Sequence, residues 1–265
     1  MRLSDILRNN VREKLARGEV VASMTVRLVR GVEIVRIAKT AGFDTVYVDL
    51  EHSSFSLDAT GQICMAALDV GLAPFVRVPA NTPEYISRVL DGGALGVIAP
   101  DVRSAEEARA VVAAAKYPPL GTRSAAGPLP HLQYRSFPAA EANATVNAET
   151  MVAVQFESAE AVAKAEEIMA VEGVDLVLIG SNDFLASQGL AGQFEHERLR
   201  EAFARTIAAA RKHGKHAGVG GLASRPKLVA EFVKMGARYV STGTDLGFLL
   251  AEATRQAKQV HDLAT

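Results

Sequence analysis

Residues 45–78 read TVYVDLEHSSFSLDATGQICMAALDVGLAPFVRV. From Thr45 to Asp49 the residues are β-branched or aromatic up to a closing aspartate, the composition of a strand buried on both faces. Leu57 to Val70 carries a helical pattern, Gly71 stands where a left-handed C-cap is wanted, and Pro74 to Val78 resumes as a strand. Strand, helix and strand in this order make one βαβ unit, in which the crossover helix lies against a parallel sheet.

The same alternation repeats in both directions. Strands are expected at Val20 to Val26, Thr45 to Asp49, Pro74 to Val78, Leu95 to Ala99, Met151 to Phe156, Leu176 to Ile179, His216 to Val219 and Tyr239 to Ser241. Helices are expected at Glu33 to Ala41, Leu57 to Val70, Pro83 to Leu90, Ala105 to Lys116, Ala159 to Met169, Glu197 to Lys212, Pro226 to Met235 and Asp245 to Leu263. Ser104 supplies an N-cap before Ala105-Glu106-Glu107, and Gly42, Gly71, Gly92, Gly173, Gly214 and Gly236 stand at C-cap positions. Eight units of about 33 residues predict an α/β fold, a single (β/α)8 TIM barrel over residues 1–265. A doubly wound sheet wants a glycine-rich first turn, and the turn here is Arg27-Leu28-Val29-Arg30-Gly31. Only Tyr117 to Thr150 breaks the rhythm. A segment of that length carries function or a short helix of its own, and it is expected to be a long active-site loop around 117–150.

Composition narrows the functional class. Apolar residues make up 49% and charged residues 22% of 265, ordinary for a globular chain. Lys and Arg total 29 against 30 Asp and Glu, a net charge of -1 that gives no general reason to bind nucleic acid or an anionic membrane. The one cysteine, Cys64, sits among apolar residues and reads as core. No apolar run reaches the ~18 residues of a membrane span and no signal peptide is evident, so a cytoplasmic location is the expectation. Leu3, Ile6, Leu7, Val11 and Leu15 recur at helical spacing, as a membrane-surface helix or, better suited to the mixed charges, a helix closing one end of the domain.

In a (β/α)8 barrel the chemistry sits at the C-terminal ends of the strands. There the sequence places Arg27, the tetrad Asp49-Leu50-Glu51-His52, Arg77, Gln155-Phe156-Glu157 and Gly180-Ser181-Asn182-Asp183. Glu157 and Asp183 would resist joint ionisation unless a divalent cation lay between them, although Asp183 could equally cap the helix that follows it. His52 is the candidate base, with His131 a weaker second. Arg77 and Arg123 suit stabilisation of an oxyanion, and Arg27 and Arg30 suit either an acidic substrate tail or a solvent-facing helix start. Gly218-Val219-Gly220-Gly221 is a weak anion-cradle signal. No lysine falls at a strand's C-terminal end, which argues against Schiff-base chemistry.

Taken together, Gly42-Phe43-Asp44, Asp49-Leu50-Glu51-His52, Val76-Arg77-Val78-Pro79, Leu90-Asp91-Gly92-Gly93, Tyr117-Pro118-Pro119-Leu120-Gly121-Thr122-Arg123, Val154-Gln155-Phe156-Glu157, Val171-Glu172-Gly173-Val174-Asp175 and Ile179-Gly180-Ser181-Asn182-Asp183 resemble the HpcH/HpaI family of class II pyruvate aldolases, within the phosphoenolpyruvate/pyruvate superfamily. The resemblance runs from about Gly18 to the C-terminus in the family's order. It implies reversible cleavage of a 4-hydroxy-2-oxo acid into pyruvate and an aldehyde through a metal-bound enolate. A divalent metal, Mg2+ or Mn2+ with Co2+, Ni2+ or Zn2+ also accepted, would be held by Glu157 and Asp183. Gln155, Ser181 and Asn182 would place pyruvate, Arg77 would stabilise its enolate, His52 and Asp91 would form the proton-transfer pair, and Asp49 would orient their loop.

The resemblance also implies a homohexamer, a trimer of dimers, with Asp245 to Leu263 exchanged between subunits; packing on its own barrel is the simpler alternative. The chain departs from the family's pattern on the aldehyde side. It has no tryptophan, and Val26 followed by Arg27 stands where one often bounds that pocket, so Arg27 would favour an acidic or phosphorylated aldehyde. Ala80-Asn81-Thr82-Pro83 is the second departure. Competing readings are an oxaloacetate decarboxylase, a macrophomate-synthase-like enzyme, which Arg30 to Glu33 and Asp49 to Ser53 partly resemble, and a catalytically silent barrel that only binds.

Overall fold

The computed structural model describes residues 2–263; Met1, Ala264 and Thr265 of the expected domain lie outside them. The strands are β1 (Val21–Val26), β2 (Thr45–Asp49), β3 (Phe75–Arg77), β4 (Gly96–Ala99), β5 (Met151–Phe156), β6 (Leu176–Ile179), β7 (His216–Gly220) and β8 (Tyr239–Thr244). They pair in parallel in chain order, and β8 returns to β1 to close the barrel. All eight expected strands are present, three with the expected bounds and the others with ends moved by one to three residues.

Apolar packing falls into two shells. Between the sheet and its helices lie the outward faces of the strands, including Val46, Val48, Val76, Val97 and Val152. Inside the barrel lie Tyr47, Phe75, Ile98, Met151, Leu178 and Tyr239. Phe75 and Tyr239 approach with ring centroids 5.4 Å apart, and Ser23 and Tyr239 share a 2.9 Å hydroxyl hydrogen bond. Such large rings fit because small residues face them: a Cβ added to Gly96 would lie 2.2 Å from the Phe75 ring, and one on Gly218 2.6 Å from Leu178.

The N-terminal segment closes the barrel's lower end, at the strands' N-termini. It forms two helices, Leu3–Ile6 and Asn10–Ala16, separated at Asn9. The Asn9 side chain accepts from the amides of Val11 and Arg12 and donates to the carbonyls of Glu149 and Leu95, which stops one helix and starts the next. Leu3, Leu7, Val11 and Leu15 are buried with the barrel interior, so the end-closing reading holds.

Other expectations need correction. Ala159 to Met169 is two helices, Ala159–Ala163 and Ala165–Met169. Gly92 has φ -73°, and the left-handed position belongs to Gly93 at 109°. The segment 117–150 does not border the mouth of its own barrel. It follows the helix Ala105–Ala115 and precedes β5, which puts it at the strands' N-terminal ends. There Lys116 Nζ donates to the Asn147 and Thr150 carbonyls, and Glu149 accepts from the Asn9 amide. The segment carries the short helix Ala139–Glu149 and a 3-10 turn at Pro130–Leu132.

The last helix, Asp245–Asp262, stands largely clear of its own barrel: Asp245 is its one buried residue, and Leu246, Phe248, Leu249, Leu250 and Val260 are all exposed. Among the described residues, no helix is long and apolar enough to cross a membrane.

Truncating the plug should cost stability without touching the mouth. Leu7→Ala is expected to lower unfolding free energy by about 2–5 kcal/mol, read from urea denaturation, because it empties a fully enclosed site.

Candidate active site

A cavity of about 660 Å³ opens at the C-terminal ends of the strands. Its wall includes Arg27, His52, Arg77, Gln155, Ser181, Asn182 and Asp183, contributed by β1, β2, β3, β5 and β6 or the loops that leave them. No lysine lines it. The two lysines whose pKa burial lowers, Lys116, to about 8, and Lys215, both precede strands and so lie at the opposite end.

Asp49 organises one side of the mouth. It ends β2 opposite Arg77 in the register with β3 and has 0% solvent exposure. Its Oδ1 accepts from Arg77 Nε at 2.9 Å and from the amides of Glu51 and His52 at 3.1 and 3.4 Å; its Oδ2 accepts from Arg77 Nη2 at 2.7 Å and Arg27 Nε at 2.6 Å. Burial alone would raise its pKa, but the hydrogen bonds and charges of Arg77 and Arg27 outweigh burial and hold the carboxyl below its ordinary value. Arg77 is itself 4% exposed and turns its remaining edge to Glu51, with Nη1 2.6 Å from Oε2. His52 reaches the cavity with its ring about half exposed and Nε2 3.7 Å from that same Glu51 oxygen.

The opposite side is acidic. Burial, then the charges of Glu51, Asp183 and Asp101, push the Glu157 carboxyl up to about 7, despite the 2.5 Å hydrogen bond that Gln155 donates to it. Gly180 permits this crowding, since a Cβ there would lie 3.0 Å from both Gln155 Nε2 and Glu157 Cγ. Asp183 does not cap its helix, Ser181–Ala186; the carboxylate takes no hydrogen bond or ion pair among the described residues and faces the cavity. Ser181 Oγ is buried without a partner. Crowded carboxylates, one uncommitted, beside an unpaired hydroxyl fit a hard divalent cation. Among the described residues no group of three or more His, Cys, Asp or Glu forms a closed metal site. Two carboxylates leave most of a coordination sphere open to water or substrate, as catalysis requires.

Four candidates lie elsewhere. Asp91 ends the helix Pro83–Asp91 and therefore stands before β4, at the end of the barrel opposite His52. It accepts from Arg123 Nη2 at 2.6 Å, so a His52–Asp91 pair does not form within one chain. Arg123 belongs to the same lower cluster, its guanidinium 4.7 Å from the Tyr117 ring centre. His131 is buried there too, with Nε2 2.9 Å from the Ala94 carbonyl and its pKa lowered by burial to about 4. Arg30 turns to Ser54 and Phe55, away from the mouth. In the glycine run, Gly220 and Gly221 border the cavity, but the Gly221 amide is already donated to the Ser241 carbonyl.

Two residues that matter to the site were not singled out by sequence reasoning. Glu51 stood inside the quoted tetrad, and only the fold shows it against Arg77. Asp245 carries no sequence signal; its carboxylate accepts from the amides of Arg27, Leu28, Val29 and Leu246 and pins the loop after β1.

The sequence profile of the HpcH/HpaI aldolase/citrate lyase family matches residues 30–252. The chain belongs to that family. A 4-hydroxy-4-methyl-2-oxoglutarate aldolase of Hapsidospora irregularis is 41% identical over 222 residues, covering 83% of this chain and 82% of that one. A 5-keto-4-deoxy-D-glucarate aldolase of Klebsiella pneumoniae subsp. pneumoniae is 35% identical, covering 78% and 79%. In structure, the HpcH/HpaI aldolase from Desulfitobacterium hafniense DCB-2 superposes with a TM-score of 0.89 at 32% identity, over 94% of this chain and 95% of that one. This HpcH/HpaI chain is thus a carbon–carbon lyase of the class II aldolase type, in a family known for dependence on divalent metals.

Two predictions follow from the two sides of the mouth. Asp49→Asn leaves the buried Arg77 short of a counter-charge and should cost about 3–5 kcal/mol in chemical denaturation. Glu157, whose pKa is raised in the fold, contributes stability that is present below its unfolded value and lost as pH rises through about 7. The metal-free protein should therefore lose Tm between about pH 5 and about pH 8, and Glu157→Gln should flatten that slope and abolish stabilisation by added Mn2+.

Proposed function

We propose that this aldolase cleaves a 4-hydroxy-2-oxo acid between C3 and C4, releasing pyruvate and a carbonyl compound, and runs the reverse addition at the same site. The observation that carries the reading is one cavity lined by a base, His52, a buried arginine, Arg77, and an uncommitted carboxylate, Asp183, whose charge adds to burial in raising the pKa of Glu157. Glu157 and Asp183 would hold the divalent cation, Mg2+ or Mn2+, which when bound supplies Lewis-acid stabilisation to the oxygens of the 2-oxo acid. Gln155, Ser181 and Asn182 surround the place the pyruvate half would take.

The protein's own groups divide the remaining work. His52, through water, accepts the proton of the C4 hydroxyl as the C3–C4 bond breaks, and the electron pair passes into the pyruvate enolate. Arg77 faces the oxygen on which negative charge grows; held by Asp49 and Glu51, it needs no reorientation as that charge develops. Protonation at C3 completes pyruvate.

An Asp91 share in proton transfer requires a second copy, whose lower rim would bring Asp91 and Arg123 to the mouth of the first. The exposed apolar residues of the last helix supply a surface for such an assembly, which we take to be a homohexamer built from dimers and located in the cytoplasm.

Pyruvate release from 4-hydroxy-2-oxo acids should disappear with EDTA and return with Mg2+ or Mn2+, with oxaloacetate as comparison substrate; metal-independent cleavage would overturn the reading. Arg77→Lys should lower kcat by about 10²–10³-fold, the scale of one lost oxyanion donor. Co-refolding two inactive variants, His52→Ala and Asp91→Asn, should regenerate activity if the pair forms between copies, whereas each alone stays inactive.

A further inference from the structure

Gln155 and Asp183, at the ends of β5 and β6, stand across the ring of strands from β1, so the acceptor side of the cavity is the side bordered by Arg27. Two arginines line the cavity, Arg27 and Arg77, and of these only Arg27 has both Nη groups without a partner among the described residues. Arg77 is consumed by Asp49 and Glu51. Arg30 is turned to Ser54 Oγ at 2.7 Å, with its guanidinium 5.4 Å from the Phe55 ring centre. Arg27 uses Nε alone, on Asp49 Oδ2, and is about one-third exposed. Its two Nη groups have no hydrogen-bond partner among the described residues.

The guanidinium is also held in place. Asp49 fixes its Nε edge, and the Asp245 carboxylate takes the amides of Arg27, Leu28 and Val29 at 2.8–2.9 Å. Asp49 is fully enclosed and already accepts from five donors, so it anchors Arg27 without competing for the Nη edge. Beyond Arg27 the cavity wall turns apolar or hydroxylic, with Leu222, Thr244, Phe248 and Ala251. A preorganised two-donor edge on an otherwise weakly polar wall matches one planar carboxylate. A dianionic phosphate calls for more than one free cation, and among the described residues this wall offers only Arg27 with both Nη groups unpaired.

We propose that Arg27 is a specificity-determining residue that receives a carboxylate on the acceptor, so that oxo acids are added to pyruvate in preference to neutral aldehydes. This rests on the aldolase reading above. Ground-state and transition-state binding of a remote carboxylate are about equal, so the effect falls mainly on KM.

The test measures aldol addition of pyruvate with Mg2+ to matched acceptors: 4-oxobutanoate against butanal, and glyoxylate against glycolaldehyde, with glyceraldehyde 3-phosphate as the phosphorylated arm. The wild-type protein should favour each acid over its neutral match by at least about tenfold in kcat/KM. Arg27→Gln should collapse that ratio, mostly through KM, and Arg27→Lys should keep part of it. Because Arg27 also touches Asp49, a general loss of activity cancels in the ratio. An unchanged ratio in Arg27→Gln, or a preference for the phosphorylated aldehyde over both acids, overturns the proposal. Deuterium exchange at C3 of pyruvate by the wild-type protein, with no acceptor present, separates the two readings. No exchange overturns the aldolase reading itself, while exchange with an unchanged ratio overturns only the role of Arg27.

Discussion

Five donors converge on the enclosed carboxylate of Asp49, and the geometry of the mouth depends on that convergence. A buried ion pair contributes little net stability, because removing its charges from water costs about what their attraction returns. What it supplies here is position. Two oxygens fix the plane of Arg77, the Nε edge of Arg27 and the turn that carries Glu51 and His52, so one residue at the end of β2 sets the bearings of three neighbouring loops. Arg77 is the most constrained, since both of its edges are taken and its face lies 5.7 Å from the Tyr47 ring centre.

The acidic side of the mouth is built on the opposite logic. Asp49 and Glu51 are matched by arginines, whereas Glu157 and Asp183 are not, and Glu157 meets that deficit by holding its proton to about pH 7. A site whose electrostatics are unfavourable alone and relieved by a cation is the expected signature of function placed above local stability. Gly180 belongs to the same design, because any side chain there would push Gln155 and Glu157 apart. The near-zero charge of the whole chain conceals this: what matters is a cationic rim with its counter-ions beside an acidic one without.

The barrel was legible because parallel strands enclosed on both faces are written as short β-branched runs, and eight of them at even spacing leave few alternatives. The mouth residues at the ends of β1, β2, β3, β5 and β6 followed from that same register. Less legible was which end of the barrel a residue occupies. Residues between a helix and the next strand lie at the lower end, which applies to Asp91, to Arg123 and to the whole of 117–150; length and proline content alone do not say which end a loop occupies. The split at Asn9 was hidden because the apolar spacing of Leu3, Leu7, Val11 and Leu15 continues straight through it. Glu51 and Asp245 needed three dimensions, since each acts on groups brought to it by the closure of the sheet.

The separation of the two charged clusters has its own consequence. The barrel interior between them is filled by a packed core that includes Phe75, Tyr239, Met151 and Leu178. Asp91 and Arg123 are separated from the mouth above them by this core. Arg123 buries its guanidinium against Asp91 and Tyr117 yet leaves Nε and Nη1 without partners. Unpaired buried donors cost free energy, so the fold holds Arg123 against Asp91 and Tyr117 at a cost to its own stability.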